Sequence, residues 1–432
     1  MATDKKIVDL TNQTAPAEGD LVHSVDVSDT TDSATGTSKK TTLQVLSDFF
    51  ESLILTATKI KAVLGITTLS GSNTGDNIAD LWLNNGYNSL YRQALINGNF
   101  DVWQRGTSVA ISDVTETYQT DRFCDYTDKN GGTLPTLIRS RQLHTPGDVP
   151  GSYYFSRLVT NGAGTSLGVS SGHQYFQKIE HGTSKLCGLN KKVTVSFYAR
   201  SSIANKRICP TLWQHYGTGG SPSGFEIITG TSITLTSSWV KYTVAFTTNT
   251  LVGKTFGTNN DDFLMLNTWF MWGTTIGNTY VQASVTAETY GGSGTTDISQ
   301  VQLCAGDVAL PFMPKSFEEE LRACQRYYEK SYEYSVAPAT STAVGCVGGG
   351  IGVTGAANIY TYIPYKVTKR SIATVVLYAN DGTLDEFSTV PSATDSNATI
   401  ATRSTSSNGF STGNTGTPSD NVWFQFTASS EL

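Results

Sequence analysis

Two runs of the chain alternate apolar and polar residues without a break. Residues 192–198 (KVTVSFY) put Val193, Val195 and Phe197 on one face and Thr194, Ser196 and Tyr198 on the other. Residues 240–246 (VKYTVAF) repeat the pattern with Val240, Tyr242, Val244 and Phe246. A period of two is that of a strand with one buried face. Further runs rich in β-branched and aromatic residues lie at 153–159, 208–213, 232–235, 263–272 and 279–285, and Ile298, Val301 and Leu303 close the series. Seven or more strands separated by Gly, Ser and Asn turns, with no helix between them, predict a two-sheet β-sandwich over residues 97–314.

The period then changes. Gly306 and Pro311 stop strand pairing, and Ser316 with Glu319 forms a capping box ahead of Phe317, Leu321, Cys324 and Tyr328. These recur at helical spacing, so a linker helix is expected over 315–333, with Leu321 central in its buried stripe and Glu320 off it. A smaller β domain follows over 334–432, with strands at 359–363, 373–378 and 422–428 and a hairpin turn at Asn380, Asp381 and Gly382. Upstream, Leu43, Leu46, Phe50, Leu53 and Ile54, then Leu83, Tyr87 and Leu90, mark two helical stretches over 42–64 and 78–96. They are read as a short stem (42–96) whose stripes are covered by sister subunits around a three-fold axis, or else by the neighbouring β domain. Residues 1–41 are polar and aperiodic, with strand-like pieces at 6–9 and 21–27 that have only a partner or a symmetry mate to pair with. That segment is expected to dock the protein onto something larger.

Composition sharpens this picture. Charged residues make up 15% of the 432, against roughly 25% in ordinary soluble proteins, and Gly, Ser, Thr, Asn and Tyr take their place. The fold class is therefore mainly β. A net charge of −6 argues against nucleic acid as a partner, and no run of 18 apolar residues predicts membrane insertion. The absence of a signal-like start predicts folding in a cytoplasm without export. The six cysteines, Cys124, Cys187, Cys209, Cys304, Cys324 and Cys346, show no C-x-x-C spacing and are expected to be buried free thiols.

No catalytic constellation emerges, so the chain is read as non-enzymatic. The five histidines, His23, His144, His173, His181 and His215, lack metal-ligand spacing, and His173 and His181 are expected in or beside solvated loops. Asp121 with Asp125, and Asp261 with Asp262, are the acid pairs that glycoside cleavage would need; such loop pairs otherwise stay solvated or hold a structural Ca²⁺. No other cofactor or metal is implied. Asn97, Asn99, Trp103, Gln104 and Arg105 form the most distinctive cluster. An indole, amides and a guanidinium could read a sugar, but the favoured reading is structural, with Trp103 in the core and Arg105 paired to Asp121. Glycan contacts are better sought among Trp213, His215, Tyr216, Trp269, Trp272, Tyr280 and Tyr290, because aromatic faces stack on the C–H patches of sugars. Most of these are expected in the core.

The run VQLCAG…PFMPKSFEEELRACQRYYEKS resembles a segment of bacteriophage tail-fibre and related virion appendage proteins. LINGNFDVWQRGTS with TYQTDRF is similar to the opening of the same domain in those proteins, TLSGSNTGDN to a spacer upstream of it, and WFQFTASSEL to their ending. The chain departs from the pattern at Phe123, where the family usually has Trp, and at Cys304, where it usually has Glu. The order VSFYAR, SWVKYT, DISQVQL also resembles the jelly roll of carbohydrate-binding modules. The resemblance implies a jelly-roll-like sandwich in a virion appendage made in the host cytoplasm. It further implies a homotrimer docked by its N-terminus to other virion proteins, with β domains that bind a host-surface glycan or other receptor. An adaptor or capsid-decorating protein without receptor binding is the alternative, and a glycan-degrading tailspike a third.

Overall fold

The computed structural model describes residues 21–26, 37–42, 90–350, 360–390, 392–395, 398–414 and 422–432. Met1–Gly75 and Asp76–Leu432 are two separate compact units. In the first, β1 (Leu21–Asp26) pairs antiparallel with β2 (Thr37–Thr42), from Leu21 opposite Thr42 to Asp26 opposite Thr37. This corrects two expectations. The strand-like piece at 21–27 finds its partner within the chain, and Thr42 ends a strand instead of opening the helical stretch expected from 42. Strand-like 6–9, the rest of the 42–64 helix and residues 78–89 lie outside the described residues.

In the second unit the described chain starts with turn and irregular backbone over 90–96, where a helix was expected. The backbone there runs beside the last strand of the sandwich instead: Ala94 N–H bonds Leu303 O at 2.9 Å and Ala305 N–H bonds Tyr91 O at 2.7 Å. The sandwich strands follow in order. They are β3 (Ser108–Ala110), β4 (Thr117–Tyr118), β5 (Cys124–Asp128), β6 (Leu137–Leu143), β7 (Tyr154–Gly162) and β8 (Gly172–Glu180), then α1 (Gly182–Leu186). Then come β9 (Lys192–Ser201), β10 (Arg207–His215), β11 (Glu226–Ile228), β12 (Ile233–Thr234), β13 (Val240–Thr247), β14 (Phe263–Trp272) and β15 (Gly292–Ala305). One sheet has the order β11-β10-β14-β8-β5-β4, with β12 also on β10, and the other β13-β9-β15-β7-β6-β3. The chain crosses between the sheets at β3–β4, β5–β6, β7–β8, β8–β9, β9–β10, β12–β13, β13–β14 and β14–β15. That alternation, all antiparallel, is a jelly-roll-like wrap.

The inner faces supply the core. Val193, Val195, Phe197 and Ala199 of β9 meet Ile208 and Leu212 of β10, Leu264, Leu266 and Phe270 of β14, and Leu303 of β15. A charged group crosses this core as well. Arg139 of β6 grips Asp125 of β5 through both its Nε (3.0 Å) and Nη2 (2.6 Å), and His173 of β8 bonds the same carboxylate at 2.8 Å. All three side chains are fully buried. His173 therefore stands between the sheets and not in a solvated loop. Burial works to raise the Asp125 pKa, but Arg139 and His173 together hold it below the ordinary carboxylate value, while desolvation lowers that of His173.

Residues 279–285, expected as a strand, are not one. Thr274–Ile276 forms a single helical turn that runs into a π turn over Gly277–Val281, and the excursion folds onto the outer face of β10 and β14. The linker helix α2 (Phe317–Gln325) carries its capping box, with Ser316 Oγ accepting from Glu319 N and the Glu319 carboxylate accepting from Ser316 N. Its buried face differs from the expected one. Phe317 is 47% exposed and Leu321 half-buried, while Glu320 is buried. The helix stops at Gln325, and Tyr328 opens a strand.

The smaller β body consists of β16 (Tyr328–Lys330), β17 (Val347–Gly350), β18 (Tyr360–Pro364), β19 (Thr374–Tyr378), β20 (Glu386–Phe387), β21 (Ala398–Thr405), β22 (Gly409–Asn414) and β23 (Val422–Ser429). β16, β17 and β19 all pair with β23, and β18-β22-β21-β20 form the facing sheet around Phe387, Phe410, Phe424 and Phe426.

Candidate functional site

The cluster at Asn97 to Arg105 is a junction. Asn97 takes a left-handed conformation (φ 61°), and its side-chain amide holds the turn closed, Nδ2 donating to Val102 O (2.8 Å) and Asp121 O (3.0 Å) and Oδ1 accepting from Val102 N (2.9 Å). Asn99 Nδ2 donates to Asp101 at 3.0 Å. Gly98 lies against the bulge of β15, where a Cβ would stand 2.0 Å from Val301 O. Trp103 is core, as expected. Arg105 is 3.8 Å from Asp121, yet it is nearer Glu431 (3.1 Å) and lies 3.6 Å above the Tyr328 ring. Asp121 is held mainly by Gln104, which donates to it from both backbone and side chain at 2.6 Å.

This block meets the linker. Asn97 N–H donates to the Glu320 carboxylate, Trp103 N–H to Tyr334 Oη (2.7 Å), and Gln104 Nε2 to Tyr328 O (2.9 Å). Arg122 bonds Glu431 and Lys178 O and stacks 3.4 Å over Tyr327, while Arg326 pairs with Glu180 of β8. The two most distinctive sequence blocks thus fold against each other and join sandwich to smaller body. None of their buried rings is open to a ligand.

An open groove of about 380 Å³ lies elsewhere, on the outer face of the larger sheet. Alternation along the strands builds it. Side chains that point away from the core are Tyr126 on β5, Gln174, Phe176 and Lys178 on β8, Phe263 and Met265 on β14, and Trp213 and His215 on β10. Phe225, just before β11, and Glu116, just before β4, complete the walls. The register sets Trp213 opposite Met265 and Met265 opposite Lys178, with His215 opposite Phe263 one step on. Ring contacts fix the floor: His215 stacks on Phe263 at 4.4 Å and 5°, and Trp213 on Phe225 at 5.5 Å and 15°. The Lys178 ammonium sits 5.5 Å from the Phe176 ring and 5.6 Å from that of Phe263. Phe225 is 50% exposed.

Of the aromatic residues singled out in the sequence, Trp213 and His215 line this groove. Tyr280 stands at its edge, presented by the π turn and stacked 5.6 Å from Trp213. The other four are corrected to core. Trp269 and Trp272 face outward, but the 274–285 excursion covers them, and their indoles bond Thr211 Oγ1 (3.2 Å) and Thr286 O (3.0 Å). Tyr216 is buried with its hydroxyl on Glu226, and Tyr290 is buried beside His173. Glu116, Tyr126, Gln174, Phe176, Lys178, Phe225, Phe263 and Met265 were missed; the i, i+2 spacing of Trp213 with His215 and of Phe263 with Met265 was the available signal.

The acid pairs are divided among separate partners. Asp121 faces Gln104 and Arg105, Asp125 faces Arg139, Asp261 accepts from Thr218 N (2.7 Å), and Asp262 bonds His181 at 2.6 Å. Among the described residues no group of three or more His, Cys, Asp or Glu is placed to hold a metal ion, and no helix is long and apolar enough to cross a membrane. The described cysteines are unpaired, all buried except the half-buried Cys346.

The fold and groove define a jelly-roll-like β-sandwich with an aromatic-lined sheet face. No family profile matches the chain, and no curated protein sequence matches it. Among solved structures it is similar to the N-terminal cellulose-binding domain of Cellulomonas fimi β-1,4-glucanase C, at 14% identity over 46% of this chain and 100% of that one, with a TM-score of 0.25. It is also similar to the family 11 carbohydrate-binding module of Clostridium thermocellum, at 12% identity over 46% and 96%, TM-score 0.25. A third is the xylan-binding CBM22-1 domain of Paenibacillus barcinonensis Xyn10C, at 10% identity over 50% and 96%, TM-score 0.24. At such values the likeness carries no argument, and the fold stands on the strand order given above.

Proposed function

We propose that this chain is a non-enzymatic virion appendage protein that recognises a host-surface glycan through the groove of its sandwich. The observation that carries the glycan reading is the groove's composition: the rings of Tyr126, Phe176, Trp213, Phe225 and Phe263 in one open face, edged by Gln174, Lys178, His215 and Glu116. Aromatic faces accept the C–H faces of sugars, and a few fixed polar groups orient them. An open sheet face admits a chain polymer from either end, and weak single contacts become firm attachment when several copies act together. The division of Asp121, Asp125, Asp261 and Asp262 among internal partners supports binding without cleavage. The virion part of the reading is supported by the likeness of the blocks around Asn97–Arg105 and Glu319–Tyr328 to phage appendage proteins. With it go attachment through residues 1–41 and assembly as a homotrimer. The test is a glycan array probed with the full chain and with Phe225→Ala. Loss of a half-exposed stacking ring is expected to weaken binding about tenfold while leaving the melting temperature in place. A silent array, or a Phe225→Ala chain that binds as before, overturns the reading.

A further inference from the structure

We infer that the groove is shaped for an acidic glycan, one whose sugars carry carboxylates, an inference that rests on the glycan reading above. The argument is an inventory of donors and acceptors. Gln174, Lys178, His215 and Glu116, with the Tyr126 hydroxyl, are the polar side chains along the groove. Two of them have their acceptor atoms occupied from inside. His215 Nδ1 accepts from Gly217 N–H at 3.1 Å, so the neutral ring keeps its proton on Nε2. Desolvation lowers the His215 pKa, which favours that neutral ring. Gln174 Oε1 accepts from Asn267 Nδ2 at 3.1 Å, which turns the amide so that its NH₂ is the end left over. Lys178 has only donors. The three side chains therefore offer the ligand N–H groups and no acceptor.

A sugar hydroxyl must donate as well as accept, whereas a carboxylate only accepts. A neutral glycan would find only the Glu116 carboxylate, itself on Lys178, and the Tyr126 hydroxyl as side-chain acceptors for its O–H protons. Lys178 is the cation that a carboxylate would meet, held over the Phe176 and Phe263 rings. Its present partners are Leu432 O at 2.8 Å and Glu116 at 3.4 Å. The Glu116 side chain is 47% exposed and its contact with Lys178 is long, so a ligand carboxylate displaces it at small cost. Lys178 on β8 and His215 on β10 are separated by β14, hence by about 10 Å, so they meet acceptors on successive sugar units and not on one.

The experiment titrates the full chain with polygalacturonate, hyaluronan and polysialic acid, each beside its carboxyl-reduced counterpart. At least one acidic polymer is expected to bind, and to lose about tenfold in affinity on carboxyl reduction. Lys178→Gln should produce a similar loss and flatten the salt dependence. Gln174→Glu, which sets a second carboxylate beside the ligand, should weaken the acidic polymer selectively. Both variants are checked for an unchanged melting temperature. Should the reduced polymers bind as well as the acidic ones and lose affinity in Phe225→Ala, the acidic inference falls and the glycan reading stands. Should no polymer bind in either form, the acidic inference falls, and the array alone decides the glycan reading.

Discussion

Glu320 shows how a single side chain can reverse the reading of a helix. A carboxylate beside Leu321 in a capped amphipathic helix looks like solvent-facing charge, but here it is buried and accepts the Asn97 N–H. Burial raises its pKa, so the acceptor is needed more than the charge. Glu320→Gln keeps an oxygen for Asn97 and should leave stability almost unchanged. Glu320→Ala leaves a buried N–H unpaired and should cost about 1–3 kcal/mol in urea unfolding. Glu318, in the same turn but with a side chain 71% exposed, should tolerate Ala within about 0.5 kcal/mol. Equal costs at 318 and 320 would show that the Asn97 bond does not matter. The departures from the phage pattern read similarly at this scale. Phe123 and Cys304 are both buried and apolar, Phe123 in the sandwich core and Cys304 with its thiol on Thr194 O (3.7 Å).

At the scale of elements, legibility followed the chemistry of each strand's two faces. β9 and β13 were plain in the sequence because one face is apolar and the other is Thr, Ser, Tyr or Lys. β5, β6 and β8 went unread, since CDYTD, LIRSRQL and GHQYFQKIE place Asp125, Arg139 and His173 on the core side, where an apolar residue is expected. Four of the ten groove residues, Tyr126, Gln174, Phe176 and Lys178, stand on β5 and β8 and were missed with them. The run at 279–285 failed in the opposite sense: Tyr280, Val281 and Val285 have strand character but serve as a cover over Trp269 and Trp272. The same mixture of charge and burial gives the junction a pH dependence. Burial lifts Asp101 and Asp121 from 3.8 to about 6, although Asn99 works against it at the first and Arg105 at the second. A carboxyl whose folded pKa lies above its unfolded one stabilises the fold fully below about pH 4, and that contribution is lost as pH rises through 6. Asp101→Asn should remove on the order of 2 kcal/mol of this slope. The stability difference between wild type and variant, followed by urea unfolding from pH 4 to 7, is therefore expected to shift toward the variant as pH rises. A difference that stays constant would rule out titration of Asp101 in this range.

At the scale of the whole molecule, the stem and docking segment proposed for residues 1–96 make a claim about assembly. The purified chain should scatter light as a trimer at micromolar concentration, and removal of residues 1–40 should leave it trimeric while preventing incorporation into particles. A monomer, or virions that still carry the shortened chain, would remove the stem or the docking role respectively. The described part of the molecule makes a different claim. A helix between two β bodies suggests a hinge, but the contacts around it are of the kind that make two bodies unfold together. Arg122, just ahead of β5, is fully buried, stacks on Tyr327 after α2, and bonds Glu431 beyond β23 and Lys178 O in β8. Arg326 and Tyr327 both bond Glu180. Calorimetry of the wild-type chain should accordingly show sandwich and smaller body melting in a single transition. Arg122→Met keeps much of the volume but leaves Glu431 with Arg105 as its remaining guanidinium partner and Lys178 O without its donor, a loss of about 1–3 kcal/mol. That loss falls on the junction and not on either core, so the variant should melt in two steps. The smaller body, which buries fewer apolar side chains than the sandwich, should go first. Two transitions already present in the wild type would restore the hinge. A single transition in Arg122→Met, merely lowered, would mean that the two bodies share more than this guanidinium.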